Sequence, residues 1–158
     1  MTRDTTVSPF FNNLSFNLHV EVDKVAGDRE AYDMWYGEAG YQEYEAPEVP
    51  VHVDMDSLGV YETDPDRIRP LTEEELDSVA CDAPEITLTL DHRYESSCRT
   101  TFRAENHRNF SVRELVKVVE KFEQDWRGCN GEDADAHHIY FEGFEGGENG
   151  VFSIFWGS

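Results

Sequence analysis

Acidic residues are concentrated in one quarter of the chain, and this constrains the fold more than any other feature. Residues 28–66 hold 12 acidic residues and one basic residue, so they carry about half of the formal net charge of −21. They follow no clean helical or strand period, and Pro47, Pro50 and Pro65 interrupt them. We therefore expect a single domain over residues 1–158, in which 28–66 is an acidic, aromatic-rich insertion or irregular subdomain.

Alternation of apolar and polar residues predicts strands outside this insertion. Residues 14–22 alternate over nine positions, and this places on one face of a half-buried strand Leu14, Phe16, Leu18, Val20 and Val22. After Pro84 the same pattern directs inward Ile86, Leu88 and Leu90. Thr87 and Thr89 suit the outer face, since β-branched residues favour strands. Residues 100–103 are expected to pair beside this strand, and Val49, Val51 and Val53 to form a short strand within the insertion.

Two segments have the pattern of a capped helix. Ser111 and Glu114 form a capping box at the start of a helix over about 112–127. Its apolar face repeats at helical spacing through Leu115, Val118, Val119, Phe122 and Trp126. Thr72 opens a second, shorter helix over about 73–80 in the same way.

The end of the chain predicts a β-hairpin. Residues 138–144 and 151–156 are apolar segments that flank 145–150, where glycines and Asn149 tolerate the positive φ that a turn needs. Both faces of the last strand are apolar, which is typical of a central strand or one covered by a helix. The expected fold class is therefore α+β, with a mostly antiparallel sheet of about four to six strands and one long helix packed on it.

Composition excludes several classes of protein. With 34 acidic and 13 basic residues, the chain lacks the cations that direct binding to nucleic acid or an anionic membrane requires. No apolar run is long enough to span a bilayer, and no secretory leader is visible, so we expect no membrane association. Three cysteines without metal or redox spacing favour a cytoplasmic protein with reduced thiols.

No catalytic or cofactor motif stands out, so we expect neither an enzyme nor a bound cofactor. Phosphate-binding glycine loops, a nucleophile elbow and a zinc-protease helix are all missing. A metal site could draw on His92, His107, His137 or His138, but adjacent residues on a strand point to opposite faces, and ordinary histidines explain the pattern better. We therefore expect no metal site. The thiols of Cys98 and Cys129 are likewise better read as ordinary than as nucleophiles.

Carboxylates interleaved with aromatic residues form the one unusual feature of the chain. The expected partner-binding residues are Trp35, Tyr36, Glu38, Tyr41, Glu43, Tyr44, Glu45, Glu48, Asp54, Asp56, Glu62, Asp64 and Asp66. Carboxylates can meet the arginines and lysines of a basic groove as a phosphate backbone does, and aromatic residues supply interface anchors. This pattern favours a non-catalytic inhibitor that mimics nucleic-acid charge and covers the basic surface of a nucleic-acid-handling protein. Phage anti-CRISPR and anti-restriction proteins, other DNA mimics and nuclease-immunity proteins are similar in charge and size alone.

Two other functions compete with this interpretation. The chain could be adapted to high salt, and its three lysines against ten arginines fit a protein from a high-salt environment. Such adaptation, however, would be expected to spread acidic residues over the whole surface. It could instead be a small enzyme or metal protein that uses its histidines. The acidic segment could also be a solvated loop pinned to the domain by its aromatic residues.

Overall fold

The structure, a computed structural model, describes residues 4–20, 51–62, 67–89, 99–126 and 139–157. Its helices in these ranges are α1 (Pro9–Asn12), α2 (Glu73–Leu76) and α3 (Val112–Trp126). Its strands are β1 (Leu14–Ser15), β2 (Leu18–Val20), β3 (Val51–Val53), β4 (Gly59–Tyr61), β5 (Ile68–Arg69), β6 (Val79–Cys81), β7 (Glu85–Thr89), β8 (Arg99–Arg103), β9 (Phe110–Ser111), β10 (Tyr140–Gly146) and β11 (Val151–Gly157). The predicted α+β class is confirmed. None of these described helices is long and apolar enough to cross a membrane.

A four-stranded sheet in the order β10-β11-β7-β8 is the largest of the four sheets among the described residues. Its pairs are antiparallel except for β11 with β7, which run parallel. The predicted hairpin is confirmed as β10 and β11, and positive φ values at Gly146, Gly147, Asn149 and Gly150 accommodate its turn. β11 lies between β10 and β7, as expected of a strand that is apolar on both faces.

The apolar alternation from residue 14 onward forms two short strands rather than one. β1 pairs with β4, whereas β2 pairs with β3, so the chain passes from one sheet to another near Asn17. The predicted inward residues are nevertheless buried at Leu14, Phe16, Leu18 and Val20, and Val22 lies outside the described residues. The local alternation therefore predicted which side chains are buried. Pairing with two different strands, β4 and β3, divides the segment into β1 and β2.

β7 corrects one expectation about the outer face of its strand. Ile86 and Leu88 are buried as predicted, and Leu90 lies outside the described residues. The hydroxyls of Thr87 and Thr101 meet at 2.7 Å across the β7–β8 pair. Thr89, expected outward, is only 5% exposed. It lies on an inner strand beside Ser153 of β11, which is also buried, so this end of the outer face is covered.

The long helix agrees with its predicted bounds to within one residue, since α3 ends at Trp126. The four predicted inner residues before Trp126 are buried, and Trp126 is partly buried. Only half of the predicted capping box forms at its start. The Glu114 N–H donates to Ser111 Oγ at 3.1 Å, but the Glu114 carboxylate accepts from the Glu105 N–H at 2.8 Å.

The short helix is shorter than predicted. Thr72 and Glu75 form the full capping box, but α2 ends at Leu76 rather than near residue 80. Val79 pairs with Ser111, so the chain leaves the helix to form β6 against β9. A strand partner that is distant in the sequence outweighs helix propensity here.

Candidate functional site

Three of the thirteen expected partner-binding residues lie in the described part of the chain, namely Asp54, Asp56 and Glu62. The other ten lie outside the described residues and are Trp35, Tyr36, Glu38, Tyr41, Glu43, Tyr44, Glu45, Glu48, Asp64 and Asp66. Val51 and Val53 form β3 as expected, and Val49 also lies outside the described residues. Within the described residues, the expected site therefore comprises β3, β4, β5 and the turn between β3 and β4.

A rigid turn follows β3 and carries two of the expected acids. Asp54 Oδ1 accepts the Asp56 N–H at 3.1 Å, which caps the 3-10 turn at Met55–Ser57. Ser57 Oγ donates to the Asp54 carbonyl at 2.6 Å and accepts the Asn17 N–H at 3.0 Å. Because both ends of the turn are tied to the domain, Asp56 and the 55% exposed side chain of Met55 are held in solvent.

β4 and β5 bring two exposed apolar residues side by side next to the third acid. Tyr61 pairs with Ile68 across the two strands, and the two side chains are 39% and 51% exposed. Glu62 follows Tyr61 directly and is exposed. A Cβ at Gly59 would lie 2.5 Å from Cγ2 of Ile68, so the close pairing of these strands depends on glycine there.

The main cation in this region, Arg69, is largely neutralised by Glu75. Arg69 donates to both carboxylate oxygens of Glu75 at 2.7 Å and lies 3.7 Å from Glu62. The Arg69 hydrogen bonds, followed by the Thr72 N–H, lower the pKa of Glu75 to about 2. Among the described residues, no cation lies within 4.0 Å of Asp54 or Asp56. Exposed Arg67 is the other nearby base in the sequence, so acid outweighs base here.

Side chains of α3 hold β3 in place. The Val53 N–H donates to Glu120 Oε2 at 2.8 Å, and Gln124 Nε2 donates to the Val51 carbonyl at 3.0 Å. Glu120 and Gln124 are one helical turn apart, so α3 supplies the hydrogen bonds that a neighbouring strand would otherwise make. Both residues were missed by sequence reasoning, because they read as ordinary polar positions of an amphipathic helix.

We define the acidic–apolar set as Asp54, Met55, Asp56, Tyr61, Glu62 and Ile68. Met55, Tyr61 and Ile68 make up half of the large apolar side chains that are exposed in the described residues, the others being Val79, Tyr140 and Phe155. There was little indication in the sequence that the apolar members of this set are exposed, because a single apolar residue between acids is equally typical of a strand with one buried face. The structure adds exposed apolar anchors to the expected acids, and Ile68 lies beyond the predicted insertion.

Candidate metal ligands and nucleophiles lie partly inside and partly outside the described residues. The described residues contain no group of three or more His, Cys, Asp or Glu side chains placed to hold a metal ion. His19 and His52 face each other across β2 and β3, but two imidazoles fall short of the three or four ligands of a zinc site. Burial, followed by the charge of Asp82, raises the pKa of the Cys81 thiol to about 11, so it is a poor nucleophile. His107 is exposed, and the other expected histidines and cysteines lie outside the described residues, namely His92, His137, His138, Cys98 and Cys129.

Known proteins provide no further guide to this site. No family model, no curated protein and no solved structure matches the chain.

Proposed function

We propose that this protein is a non-catalytic binding protein that covers the basic surface of a nucleic-acid-handling protein. Residues 28–66 would supply most of the contact, and Ile68 would extend it. The observation that supports this proposal is the acidic–apolar set, in which Asp54 and Asp56 have no described cation partner and lie in the same short stretch as exposed Met55, Tyr61 and Ile68.

The carboxylates and the exposed apolar side chains of this set have different physical roles at such an interface. Uncompensated carboxylates create a negative field that steers the protein to a positive groove and selects against acidic partners. Charge alone gives little affinity after desolvation, whereas exposed aromatic and aliphatic side chains gain free energy when they are buried. Aromatic residues also dominate the few contacts that carry most of the binding energy in interfaces. A mimic of nucleic-acid charge needs both properties.

A displacement assay tests the proposal directly. The immobilised protein is incubated with a nuclease-treated cell lysate, and captured proteins are identified and purified. We expect a captured protein to release its DNA or RNA when the chain is added in stoichiometric amounts, as measured by fluorescence anisotropy of a labelled oligonucleotide. Release should weaken as NaCl rises from about 0.05 to 0.5 M, because exposed charges are screened over shorter distances.

Two sets of variants separate charge from apolar contact. Reversal of Glu43, Glu45 and Glu48 to Lys is expected to abolish displacement, and Tyr61→Ser with Ile68→Ser is expected to weaken it at constant charge. Reversal of Asp4, Asp82 and Glu148 to Lys, three exposed acids outside the acidic–apolar set, changes the net charge by the same amount and is the matched control. Displacement that survives the triple reversal in a folded variant would overturn the placement of the site. Captured proteins that keep their nucleic acid would overturn the function.

A further inference from the structure

Two histidines face each other on the outer side of the β2–β3 pair. His19 of β2 lies directly opposite His52 of β3 in an antiparallel register, and both side chains are exposed. Opposite residues of such a pair have Cβ atoms about 4.5–5.5 Å apart, so the two imidazoles project side by side into solvent. The pair is far from local in the sequence, and it exists only because β2 and β3 associate.

Burial on the other side of the strands fixes this register. Leu18, Val20, Val51 and Val53 point inward, and each of these side chains is 6% exposed or less. A slip of one residue would turn one strand's apolar pair into solvent, so the register is strongly specified. The two histidines are therefore held opposite each other.

Hydrogen bonds from outside the pair also hold the two strands. Glu120 and Gln124 of α3 bond to the backbone of β3. Just beyond the last strand pair, the Asp54 N–H donates to the Asn17 carbonyl at 2.9 Å. Because the backbone is already ordered, a ligand bound by both imidazoles would restrict only the rotamers of two side chains.

Paired imidazoles suit a divalent transition-metal ion. Imidazole is a preferred ligand of Cu²⁺, Ni²⁺ and Zn²⁺, whereas Mg²⁺ and Ca²⁺ prefer oxygen ligands. Metal–nitrogen bonds of about 2.0–2.1 Å place two coordinated nitrogens about 3 Å apart, which facing side chains on adjacent strands can reach. No third His, Cys, Asp or Glu completes a group among the described residues. Cu²⁺ and Ni²⁺ suit such an open site best, because they accept tetragonal coordination by nitrogen and water oxygen.

The charge of the surroundings favours any cation here. Asp54 and Asp56 lie in the turn that directly follows β3, and the whole chain has a net charge of −21. Such a field raises the local concentration of cations without regard to their chemistry. The imidazoles add the selectivity, because they favour transition-metal ions over Mg²⁺ and Ca²⁺.

We infer that His19 and His52 together chelate one divalent transition-metal ion, Cu²⁺ or Ni²⁺, with water in the remaining coordination positions. β2 and β3 flank residues 21–50, so the ion would cross-link the two strands that bracket most of the expected partner-binding residues. A metal that closes a long loop and binds only the folded chain stabilises the fold. This inference goes beyond the proposed function and stands without it, because it requires no partner protein.

Calorimetric titration of metal-free protein without a polyhistidine tag tests this inference. NiCl₂ is added at about pH 7.5, where free imidazole is mostly neutral, in about 0.15 M NaCl. We expect the wild type to bind one equivalent of Ni²⁺ that His19→Gln and His52→Gln each bind at least tenfold more weakly. His107→Asn is the matched control, because His107 is exposed and asparagine tolerates its φ of 61°. It should change the affinity for Ni²⁺ less than twofold.

The double variant distinguishes a chelate from two separate ligands. A chelate needs both imidazoles, so His19→Gln with His52→Gln should weaken Ni²⁺ binding no more than either single substitution does. Thermal melts provide a second readout: Ni²⁺ should raise the melting temperature of the wild type and of His107→Asn, but not that of the three chelate variants. In EDTA all five proteins should melt together, because substitutions at exposed positions rarely change stability.

Four results would overturn the inference. Unchanged Ni²⁺ binding in His19→Gln or His52→Gln would place the ion elsewhere in the chain. Losses that add in the double variant would show two independent ligands instead of a chelate. Displacement of Ni²⁺ by an equal concentration of Mg²⁺ would leave only general attraction to carboxylates. Absence of Ni²⁺ binding to the folded wild type would refute the site itself.

Discussion

Replacement of Glu120 by alanine should remove the support that α3 gives to β3. The Asp54 N–H donates to the Asn17 carbonyl on the β2 side at 2.9 Å, so by alternation the polar groups of Val51 and Val53 face away from β2. There they meet Gln124 and Glu120. Val53 is only 6% exposed, so water can replace the lost carboxylate only in part.

The expected cost follows from one unsatisfied backbone donor. A buried polar group that loses its partner destabilises a protein by about 1–3 kcal/mol, and a charged partner puts the value near 2 kcal/mol. For a domain of about 150 residues, each kcal/mol lowers the melting temperature by roughly 2–4 °C. We therefore expect Glu120→Ala to melt about 4–8 °C below the wild type.

Urea and thermal unfolding measure this change, and hydrogen exchange at the Val53 amide localises it. Glu120→Gln keeps an acceptor oxygen and should cost less than about 1 kcal/mol, and Lys117→Ala at an exposed position of the same helix should stay within about 0.5 kcal/mol. The reasoning fails if Glu120→Ala melts with the wild type and the Val53 amide exchanges at the same rate in both. It also fails if Glu120→Gln is as destabilising as Glu120→Ala.

Three further predictions concern titration and salt. The Arg69 hydrogen bonds lower the folded-state pKa of Glu75 from 4.5 to about 2, so the carboxylate stabilises the fold above about pH 4.5, and this contribution is lost as the pH falls through 2. Glu75→Gln should therefore melt below the wild type at pH 6, and the difference should close near pH 2; a gap that is constant with pH would contradict the ion pair. Burial raises the pKa of Cys81 from 9.0 to about 11, so iodoacetamide at pH 8.5 should leave Cys81 unlabelled in the native protein and label it in urea, as peptide mapping would show; rapid native labelling would mean that the thiol is accessible. Finally, a binding role for the acid predicts a cooperative thermal melt by circular dichroism at about 20 mM NaCl, whereas a protein that folds only above about 1 M would be salt-adapted.

Local patterns predicted local elements well. The start of α3 and its buried face followed from a capping serine and apolar residues at helical spacing, both of which act within a few residues. The turn between β10 and β11 followed from glycines and Asn149, which tolerate positive φ. The hydroxyl of Thr72 likewise marked the first residue of α2.

Candidate site residues were harder to predict than elements. Asp54, Asp56 and Glu62 were predicted from the local excess of acidic and aromatic residues. The prediction for the ten site residues outside the described ranges rests on the same sequence pattern alone. The sequence pattern did not identify Met55 or Ile68 as site residues, because the exposure of a side chain depends on which neighbours cover it in the fold.

Neighbouring residues were enough to predict the fold class, the long helix, the final hairpin and the location of the acid, because periodicity, caps, turn residues and charge are all local properties. Contacts between distant segments explain why residues 14–20 form two strands, why α2 ends at Leu76 so that Val79 can pair with Ser111, and why Glu120 completes β3. Each of these depends on a partner distant in the chain, 67 residues away for Glu120 and Val53. A backbone donor or acceptor must be satisfied wherever it is buried, and the group that satisfies it is chosen by packing rather than by the local pattern.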